Sequence, residues 1–310
     1  MASPGWSAEL KLAGAGGEPV DLRRTITSHG LVDLPPMQPD PDWRALEITL
    51  PLAGGPPRTV RIAESGPGSA LVTAAGRRPS ARQAEDLLAA VAHVLRLDED
   101  LSDFYAQAAA DPDLLWAAAG AGRLIRSPTV FEEVVKTICT TNCAWSATVR
   151  MVGALVEHLG EAAPGPADGP LGRAFPTPAA MAEVDESFYR DVARAGYRGA
   201  YLRSLAADVA AGRLDLEELA RADADELPDE QVAERLLALP GVGPYAAAHV
   251  MMLLGRYSRL VLDSWTRPKY ASVRGRKAKD ATIERRFRRF GPYAGLAFWL
   301  VLTRDWVPET

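Results

Sequence analysis

The first quarter of the chain alternates apolar and polar residues with the two-residue period of β-strands. Such runs cover residues 45–52, 59–63 and 70–74. Turn-forming residues such as Gly54-Gly55-Pro56-Pro57 separate them, as is typical of antiparallel strands. Residues 21–98 are therefore predicted to form a small antiparallel sheet domain. Residues 1–20 are rich in Gly, Ala and Pro and are predicted to be a flexible N-terminus.

From about residue 79 the apolar positions take the spacing of helices. Ser80 precedes a segment with apolar residues at Leu87, Leu88, Val91 and Leu95, the pattern of a capped amphipathic helix. About ten helical segments follow, without an internal repeat. The predicted fold class is therefore α+β, with a small N-terminal antiparallel sheet domain followed by a mostly α-helical region over residues 99–310.

Composition limits the classes of protein that fit. Hydrophobic residues make up 47% and charged residues 24% of the 310 residues, the balance of a globular protein. No apolar run approaches the ~18 residues of a membrane helix, so no membrane partner is expected. The two cysteines, Cys139 and Cys143, are too few for an iron–sulfur cluster with four cysteines. The N-terminus lacks a signal-peptide pattern, so a cytoplasmic location is expected, with nucleoid association in a bacterium.

Charge is distributed unevenly. The chain carries a net charge of -5, but residues 256–290 hold twelve Lys/Arg and three Asp/Glu, a surplus of nine positive charges. Such a segment indicates either a face that binds a polyanion or a solvated charged helix. Binding to a polyanion through this segment would weaken steeply with salt.

The most informative segment is a predicted helical hairpin over residues 232–256. A helix ends at Leu239, the turn Pro240-Gly241-Val242-Gly243 follows, and Pro244 opens the next helix. Glycines allow a tight turn, and the amides at a helix N-terminus bind anions such as phosphate. Gly241, Val242 and Gly243 are therefore predicted to hold a DNA backbone of any sequence. The alternative is a plain helical hairpin with a glycine turn.

About twenty residues further on, Asp263 ends an apolar run. It is either a half-desolvated acid facing a cleft, a cap for the next helix, or both. The hairpin followed by this aspartate resembles the HhH-GPD superfamily of DNA glycosylases, and the wider chain resembles its 3-methyladenine II and 8-oxoguanine members. This resemblance implies that Asp263 is catalytic and that the partner is double-stranded DNA with a damaged base. It further implies a monomer that requires no cofactor.

The resemblance also implies roles around the hairpin. Bifunctional members have a lysine nucleophile where this chain has Tyr245, and a phenol cannot form a Schiff base, so an enzyme without AP lyase activity is expected. In relatives, backbone carbonyls at the hairpin hold Na⁺ or K⁺. The matching carbonyls here belong to Leu237, Leu239 and Val242. Two basic residues after Asp263, Arg267 and Lys269, are expected to contact the DNA backbone.

The resemblance places further residues around a flipped base. The base pocket is expected to comprise Tyr245, His249, Trp265, Phe298, Leu302 and Gly30. Asn142, Tyr197 and Arg198 match the places where relatives fill the gap in the duplex and wedge the opposite base. Asp305 aligns with an acid that supports the pocket. For several of these residues a structural role is the alternative: core packing for Tyr245 and His249, a helix C-cap for Asn142, and a loop aromatic for Tyr197.

The sequence thus predicts a monofunctional DNA glycosylase of base excision repair that flips out an alkylated purine and hydrolyses its N-glycosidic bond. An aromatic pocket with few hydrogen-bonding groups favours stacking on electron-poor bases such as 3-methyladenine or 7-methylguanine. Two alternatives stay open. One is a glycosylase for an oxidised, deaminated or bulky base, and the other is a non-catalytic protein that binds distorted DNA.

Overall fold

The computed structural model describes residues 5–165 and 169–307, and its N-terminal part is an antiparallel sheet. The strands are β1 (Trp6–Lys11), β2 (Met37–Pro39), β3 (Ala45–Leu52), β4 (Gly55–Gly66) and β5 (Ser69–Ala74). Their spatial order is β1-β5-β4-β3-β2, and every neighbouring pair is antiparallel. One face carries buried residues such as Ile48, Val60 and Val72, so the period of two predicted from the sequence is confirmed.

The expectation of a flexible N-terminus over residues 1–20 is wrong for the strand β1. Trp6 pairs with Ala74 and Lys11 with Ser69, and Leu12 and Val20 are buried in the core beneath the sheet. The strand alternates half-buried and exposed residues, so its apolar signal is weak, and its partner β5 lies some sixty residues away in the sequence. Residues 1–4 lie outside the described residues.

All helices except α1 follow the last strand of the sheet in the sequence. They are α1 (Leu22–Ile26), α2 (Ala81–Val94), α3 (Ser102–Ala109), α4 (Val130–Thr140), α5 (Trp145–Leu159), α6 (Pro178–Glu183), α7 (Arg198–Ala210), α8 (Glu218–Arg221), α9 (Asp229–Leu237), α10 (Pro244–Leu253), α11 (Thr266–Arg274), α12 (Asp280–Phe287) and α13 (Ala294–Thr303). Short 3-10 turns cover Gly30–Asp33, Leu115–Ala119, Arg288–Tyr293 and Arg304–Trp306, and a π-helical turn covers Phe188–Val192. None of the helices within the described ranges has the length and apolar character to cross a membrane.

Three apolar clusters form the core. The sheet packs on α2, the helices α4, α5, α7 and α9 form a second cluster, and α3 and α11 to α13 form a third. Helix α10 lies between the last two clusters, because Val250 and Met251 pack into one and Ala248 and Met252 into the other. This position explains why α10 is apolar on all sides.

Buried arginines join the sheet domain to the end of α10. Arg96 donates from Nε to the Leu124 carbonyl at 2.8 Å, and its guanidinium also donates to the carbonyl of Leu253, the last residue of α10. Arg123 is fully buried and pairs with Glu18. Because leaving such donors unpaired in the interior is costly, these bonds fix the hairpin relative to the sheet.

Candidate active site

Asp263 lies at the start of α11 and is held by the helix terminus. Its Oδ1 accepts hydrogen bonds from the amides of Trp265 at 2.8 Å and Thr266 at 2.6 Å. In return, Thr266 Oγ1 accepts from the Asp263 amide at 2.8 Å. These reciprocal bonds fix the carboxylate, so Asp263 is a helix cap, as the sequence allowed. Within the described part of the chain Oδ2 makes no hydrogen bond, which leaves this oxygen for a ligand.

The glycine turn between α9 and α10 has the geometry that the sequence indicated. Gly241 has a φ of 81°, and a Cβ at this position would come within 2.7 Å of the Tyr201 ring. Both facts require glycine, because other residues rarely adopt a positive φ and a Cβ would clash with the ring. Gly243 differs, because it has a φ of -97° and nothing within 4 Å of a Cβ placed there.

The amides of the turn do not all face outward, which corrects one prediction. The Val242 amide donates to the Leu239 carbonyl at 3.1 Å, so it is used inside the turn and is not available to a phosphate. Among the described residues, no hydrogen bond is made by the next amides, those of Gly243, Tyr245 and Ala246. These three N–H groups lie at the positive end of the α10 dipole and are left without a partner in the described chain, which is the arrangement that suits an anion.

Three rings extend from the hairpin toward the sheet domain. Tyr245 stacks on His249 with 5.9 Å between ring centroids, and His249 meets His29 edge-on at 6.3 Å. Burial lowers the pKa of His249 to about 4, an effect that the negative charge of Asp263 partly opposes. Burial also lowers the pKa of His29 to about 3, against the opposing effect of its bond to the Ile125 carbonyl. Both imidazoles are therefore neutral at pH 7.

Asp263 acts electrostatically on the same rings. Burial raises the pKa of the Tyr245 phenol, and the charge of Asp263 raises it further, while a hydrogen bond with Thr140 opposes both. Asp263 thus lies close enough to influence both Tyr245 and His249. The His249 Nε2 atom is buried and has no hydrogen-bond partner. A buried nitrogen without a partner is costly unless a ligand or water satisfies it, so this atom is a candidate contact for a ligand.

A cluster of tryptophans begins two residues after Asp263. Trp265 lies 5.5 Å from Trp299 and 5.7 Å from Trp306, measured between ring centroids. The Trp299 indole donates to the Ser28 carbonyl at 2.7 Å, one residue before His29. Gly30 follows, and a Cβ placed there would lie 3.8 Å from the ring of a further tryptophan, Trp145. Gly30 therefore lies near two tryptophan rings, those of Trp145 and Trp299, that were not among the predicted pocket residues.

The predicted pocket residues on α13 lie inside the apolar core, which corrects their assignment to the pocket. Phe298 and Leu302 have no exposed surface, and Phe298 packs against Tyr270 and Phe287 in the third apolar cluster. The face of α13 turned toward Ser28 and Trp265 carries Trp299 instead. Every residue of α13 is buried, so its hydrophobic pattern has no polar side from which to tell its faces apart. The signal that was missed is the concentration of tryptophans near the C-terminus.

The predicted wedge residues meet beside the hairpin. A groove of about 340 Å³, the wedge groove, is lined by Asn142, Tyr197, Tyr201 and the hairpin residues Gly241, Gly243, Pro244 and Tyr245. Asn142 has a φ of 48° and donates from its amide to the Tyr197 hydroxyl at 3.3 Å. Tyr197 is 54% exposed, so its ring is available for stacking. The structure therefore brings these two predicted residues together on one surface.

The third predicted wedge residue, Arg198, does not face outward. It is 7% exposed, donates to the Thr141 carbonyl and places its guanidinium 4.6 Å from the centre of the Tyr197 ring. The prediction that Arg198 fills a gap in DNA is therefore wrong. Its contacts hold Tyr197 and the end of α4 in place, and sequence alone gives no indication of this burial.

The predicted DNA-backbone contacts Arg267 and Lys269 both have partners. Arg267 forms two hydrogen bonds of 2.9 Å with Asp280, and Lys269 pairs with Asp305 at 2.6 Å. These bonds are exposed, so each is weak and open to exchange with phosphate. The acid Asp305, expected to support the pocket, thus holds a lysine of α11.

Metal binding by side chains is not indicated within the described residues, because no group of three or more His, Cys, Asp or Glu is arranged for it. The predicted ion would instead use backbone carbonyls. Of these, the Leu239 carbonyl already accepts from the Val242 amide, and the Leu237 carbonyl lies at the end of α9. The cation therefore stays a prediction.

Solved structures share this fold. The chain is similar to the 3-methyladenine DNA glycosylase from Archaeoglobus fulgidus, with a TM-score of 0.72, 19% identity and coverage of 98% of this chain and 100% of that one. It is also similar to MBOgg1 in complex with a low-affinity DNA ligand, with a TM-score of 0.71, 18% identity and coverage of 97% and 96%.

A third similar structure is the Clostridium acetobutylicum 8-oxoguanine glycosylase/lyase in complex with DNA, with a TM-score of 0.65, 18% identity and coverage of 90% and 92%. No protein-family model matches the chain, and no curated protein matches its sequence. The fold is thus the α+β fold of these glycosylases, and the resemblance inferred from the hairpin and Asp263 is confirmed at the level of structure.

Proposed function

We propose that this protein is a DNA glycosylase that removes a damaged base, most readily an alkylated purine, by hydrolysis at Asp263. The observation that supports this proposal best is the position of Asp263. Its Oδ1 is fixed by two amides, its Oδ2 is left without a partner in the described chain, and its charge acts on Tyr245 and His249 next to the glycine turn.

In the proposed reaction the damaged nucleotide leaves the duplex and its base enters the space beside Tyr245 and Trp265. The free amides at the start of α10 hold a neighbouring phosphate. As the glycosidic bond breaks, positive charge develops on the sugar, and the carboxylate of Asp263 stabilises it. Asp263 also orients the attacking water. Asn142 and Tyr197 occupy the gap left in the duplex by stacking and hydrogen bonding.

Preference for an alkylated purine is supported by the charge and chemistry of the site walls. A protonated histidine would repel a cationic base, but burial keeps both His29 and His249 neutral at pH 7. Trp265 is 40% exposed, so its ring is available to a base. Ring faces and a nearby carboxylate attract a cationic, electron-poor base.

Release of the base without strand cleavage is part of the proposal. Tyr245 takes the place of the lysine nucleophile, and its phenol forms no Schiff base with the sugar aldehyde. A monovalent cation on the hairpin carbonyls of Leu237, Leu239 and Val242 would assist phosphate binding and is proposed on the resemblance alone. The protein is further proposed to act as a monomer on double-stranded DNA.

A second candidate is a glycosylase for an oxidised, deaminated or bulky base, since one similar structure is named an 8-oxoguanine glycosylase/lyase. The unpaired Nε2 of His249 favours this candidate, because it could hydrogen-bond to a base edge.

The experiment uses duplexes that each contain one modified base: 3-methyladenine, 7-methylguanine, 8-oxoguanine or uracil. We expect free methylated purine to be released fastest and strands to break only after alkali treatment. Faster release of 8-oxoguanine would contradict the alkylated-base preference, and borohydride trapping of the enzyme on DNA would contradict the absence of a lyase step. No release from any duplex would favour a non-catalytic DNA-binding protein.

A further inference from the structure

A second groove, larger than the wedge groove, also borders the hairpin. It has a volume of about 590 Å³ and is lined by Leu237, Pro244, Tyr245, Arg259, Arg267 and Arg288, among other residues. We call it the arginine groove. Pro244 and Tyr245 line both grooves, so the two adjoin at the N-terminus of α10. Of the three hairpin amides that are unpaired in the described chain, that of Tyr245 belongs to this junction, and those of Gly243 and Ala246 line the wedge groove.

The cations of the basic segment fall into two groups. Six of the twelve Lys/Arg in residues 256–290 form ion pairs: Arg256, Arg267, Lys269, Arg274, Arg286 and Arg289. Within the described chain the other six have no carboxylate within 4.0 Å. Of those six, Arg259 and Arg288 line the arginine groove and are exposed, and the others lie outside it.

We propose that the arginine groove binds the phosphodiester backbone of duplex DNA beyond the hairpin, with Arg259 and Arg288 as the phosphate contacts. The proposal rests on the proposed function in that DNA is the ligand, but it does not require base release. A guanidinium matches a phosphate with two parallel N–H bonds, and an arginine without a protein partner loses no ion pair on binding. The arginine groove meets the wedge groove at Tyr245, whose amide is unpaired in the described chain, so one strand can follow both.

The arginine groove also contains one acidic residue. Glu284 lies on α12 one turn before Arg288 and lines the same groove. Within the described chain it has no cation within 4.0 Å. A carboxylate facing a DNA backbone repels it, so Glu284 lowers the affinity that the two arginines supply. The groove therefore contains groups whose removal should change DNA binding in opposite directions.

The test measures the dissociation constant of the full chain for an undamaged fluorescent duplex over a range of salt concentrations. The variants are Arg259→Gln, Arg288→Gln and their combination, with Arg285→Gln as the matched control. Arg285 is exposed, has no ion pair among the described residues and lies on α12 beside Glu284, but it does not line the groove. Because the three arginines are exposed, folding of the variants is not at risk.

Each groove variant is expected to bind more weakly and to reduce the slope of log affinity against log salt by about 0.9, the value for one phosphate contact. The double variant should lose about twice that slope, while Arg285→Gln should leave the slope unchanged. Glu284→Gln should bind more tightly than the wild type. Together these results would support the groove as the path of the backbone.

An unchanged slope in the double variant would overturn the proposal, as would an equal loss in Arg285→Gln, which would indicate a diffuse charge effect. Base release is assayed separately on a duplex with a methylated purine. If the double variant keeps the wild-type slope while the wild type releases base, the groove proposal fails and the proposed function stands. If no base is released but the slopes change as expected, the proposed function fails and the groove proposal stands.

Discussion

The hairpin turn and helix α13 both carry predicted site residues, yet only the turn could be assigned from the sequence. At the turn, Gly241 has a φ of 81° and packs against Tyr201, so the backbone itself requires glycine. In α13 every residue is buried, and a shift of one position exchanges Phe298, which packs against Tyr270 and Phe287, for Trp299, which donates to the Ser28 carbonyl. A local backbone requirement is visible in the sequence, whereas the rotation of an all-apolar helix is not.

The comparison extends to helix α10, which is almost as apolar as α13. The resemblance placed Tyr245 and His249 in the base pocket, and in the structure their rings stack on one face, four residues apart and at a fixed count from the glycine turn, which serves as a reference. No such reference precedes α13, which follows an irregular 3-10 turn where Gly291 has a φ of 53°. The residues of an apolar helix that begins at a recognisable turn can therefore be assigned to its faces. Those of an apolar helix without such a start cannot.

Replacing Phe298 tests the assignment of α13 and should have the largest effect on stability. Phe298→Ala removes a fully buried ring between Tyr270 and Phe287, so the free energy of unfolding should fall by about 3–5 kcal/mol. Denaturant unfolding measures this loss. The milder Phe298→Leu supplies folded protein, in which the ratio of base release from methylated and oxidised duplexes should stay as in the wild type.

The matched variant on the other face is Trp299→Phe. It leaves the Ser28 carbonyl without its indole donor and changes the ring beside Trp265. The ratio of base release from methylated and oxidised duplexes should therefore change. A changed ratio in Phe298→Leu together with an unchanged ratio in Trp299→Phe would reverse the assignment of the two faces.

The glycine turn can be tested with two alanines that differ only in position. Gly241→Ala forces a positive φ on alanine and brings its Cβ against Tyr201, so the free energy of unfolding should fall by about 1–3 kcal/mol. Gly243→Ala has an ordinary φ and open space, and it should change stability little. Thermal unfolding compares the two. Equal stability of both variants would mean that the turn does not require Gly241.

Acidification tests the buried histidine of α10. The pKa of His249 is lowered by burial to about 4, so between pH 6.5 and pH 4 the unfolded chain binds a proton that the folded chain does not. Stability should therefore fall as the pH falls through this range, by up to about 1.4 kcal/mol per pH unit from this residue. In His249→Gln the dependence of unfolding free energy on pH should be shallower by that amount. An unchanged dependence would show that His249 is not buried in its neutral form.

Beyond the turn, sequence patterns predicted the central strands of the sheet to within a few residues and a series of about ten helical segments after it. The edge strand β1 was missed, because its half-buried pattern is weak and its partner is remote in the sequence. The burial of Arg198 and the pairing of Arg267 with Asp280 were also missed. Both depend on which side chains meet in three dimensions, and residue type alone does not determine this.

The central claim is that Asp263, fixed at the start of α11, performs the chemistry at the glycosidic bond. Asp263→Asn tests it most directly, because asparagine keeps an oxygen for the amides of Trp265 and Thr266 and removes only the charge. The measurement is single-turnover release of a methylated purine, alongside affinity for the same duplex. We expect release to fall by at least about 100-fold with affinity kept or improved. Release at the wild-type rate would contradict the account.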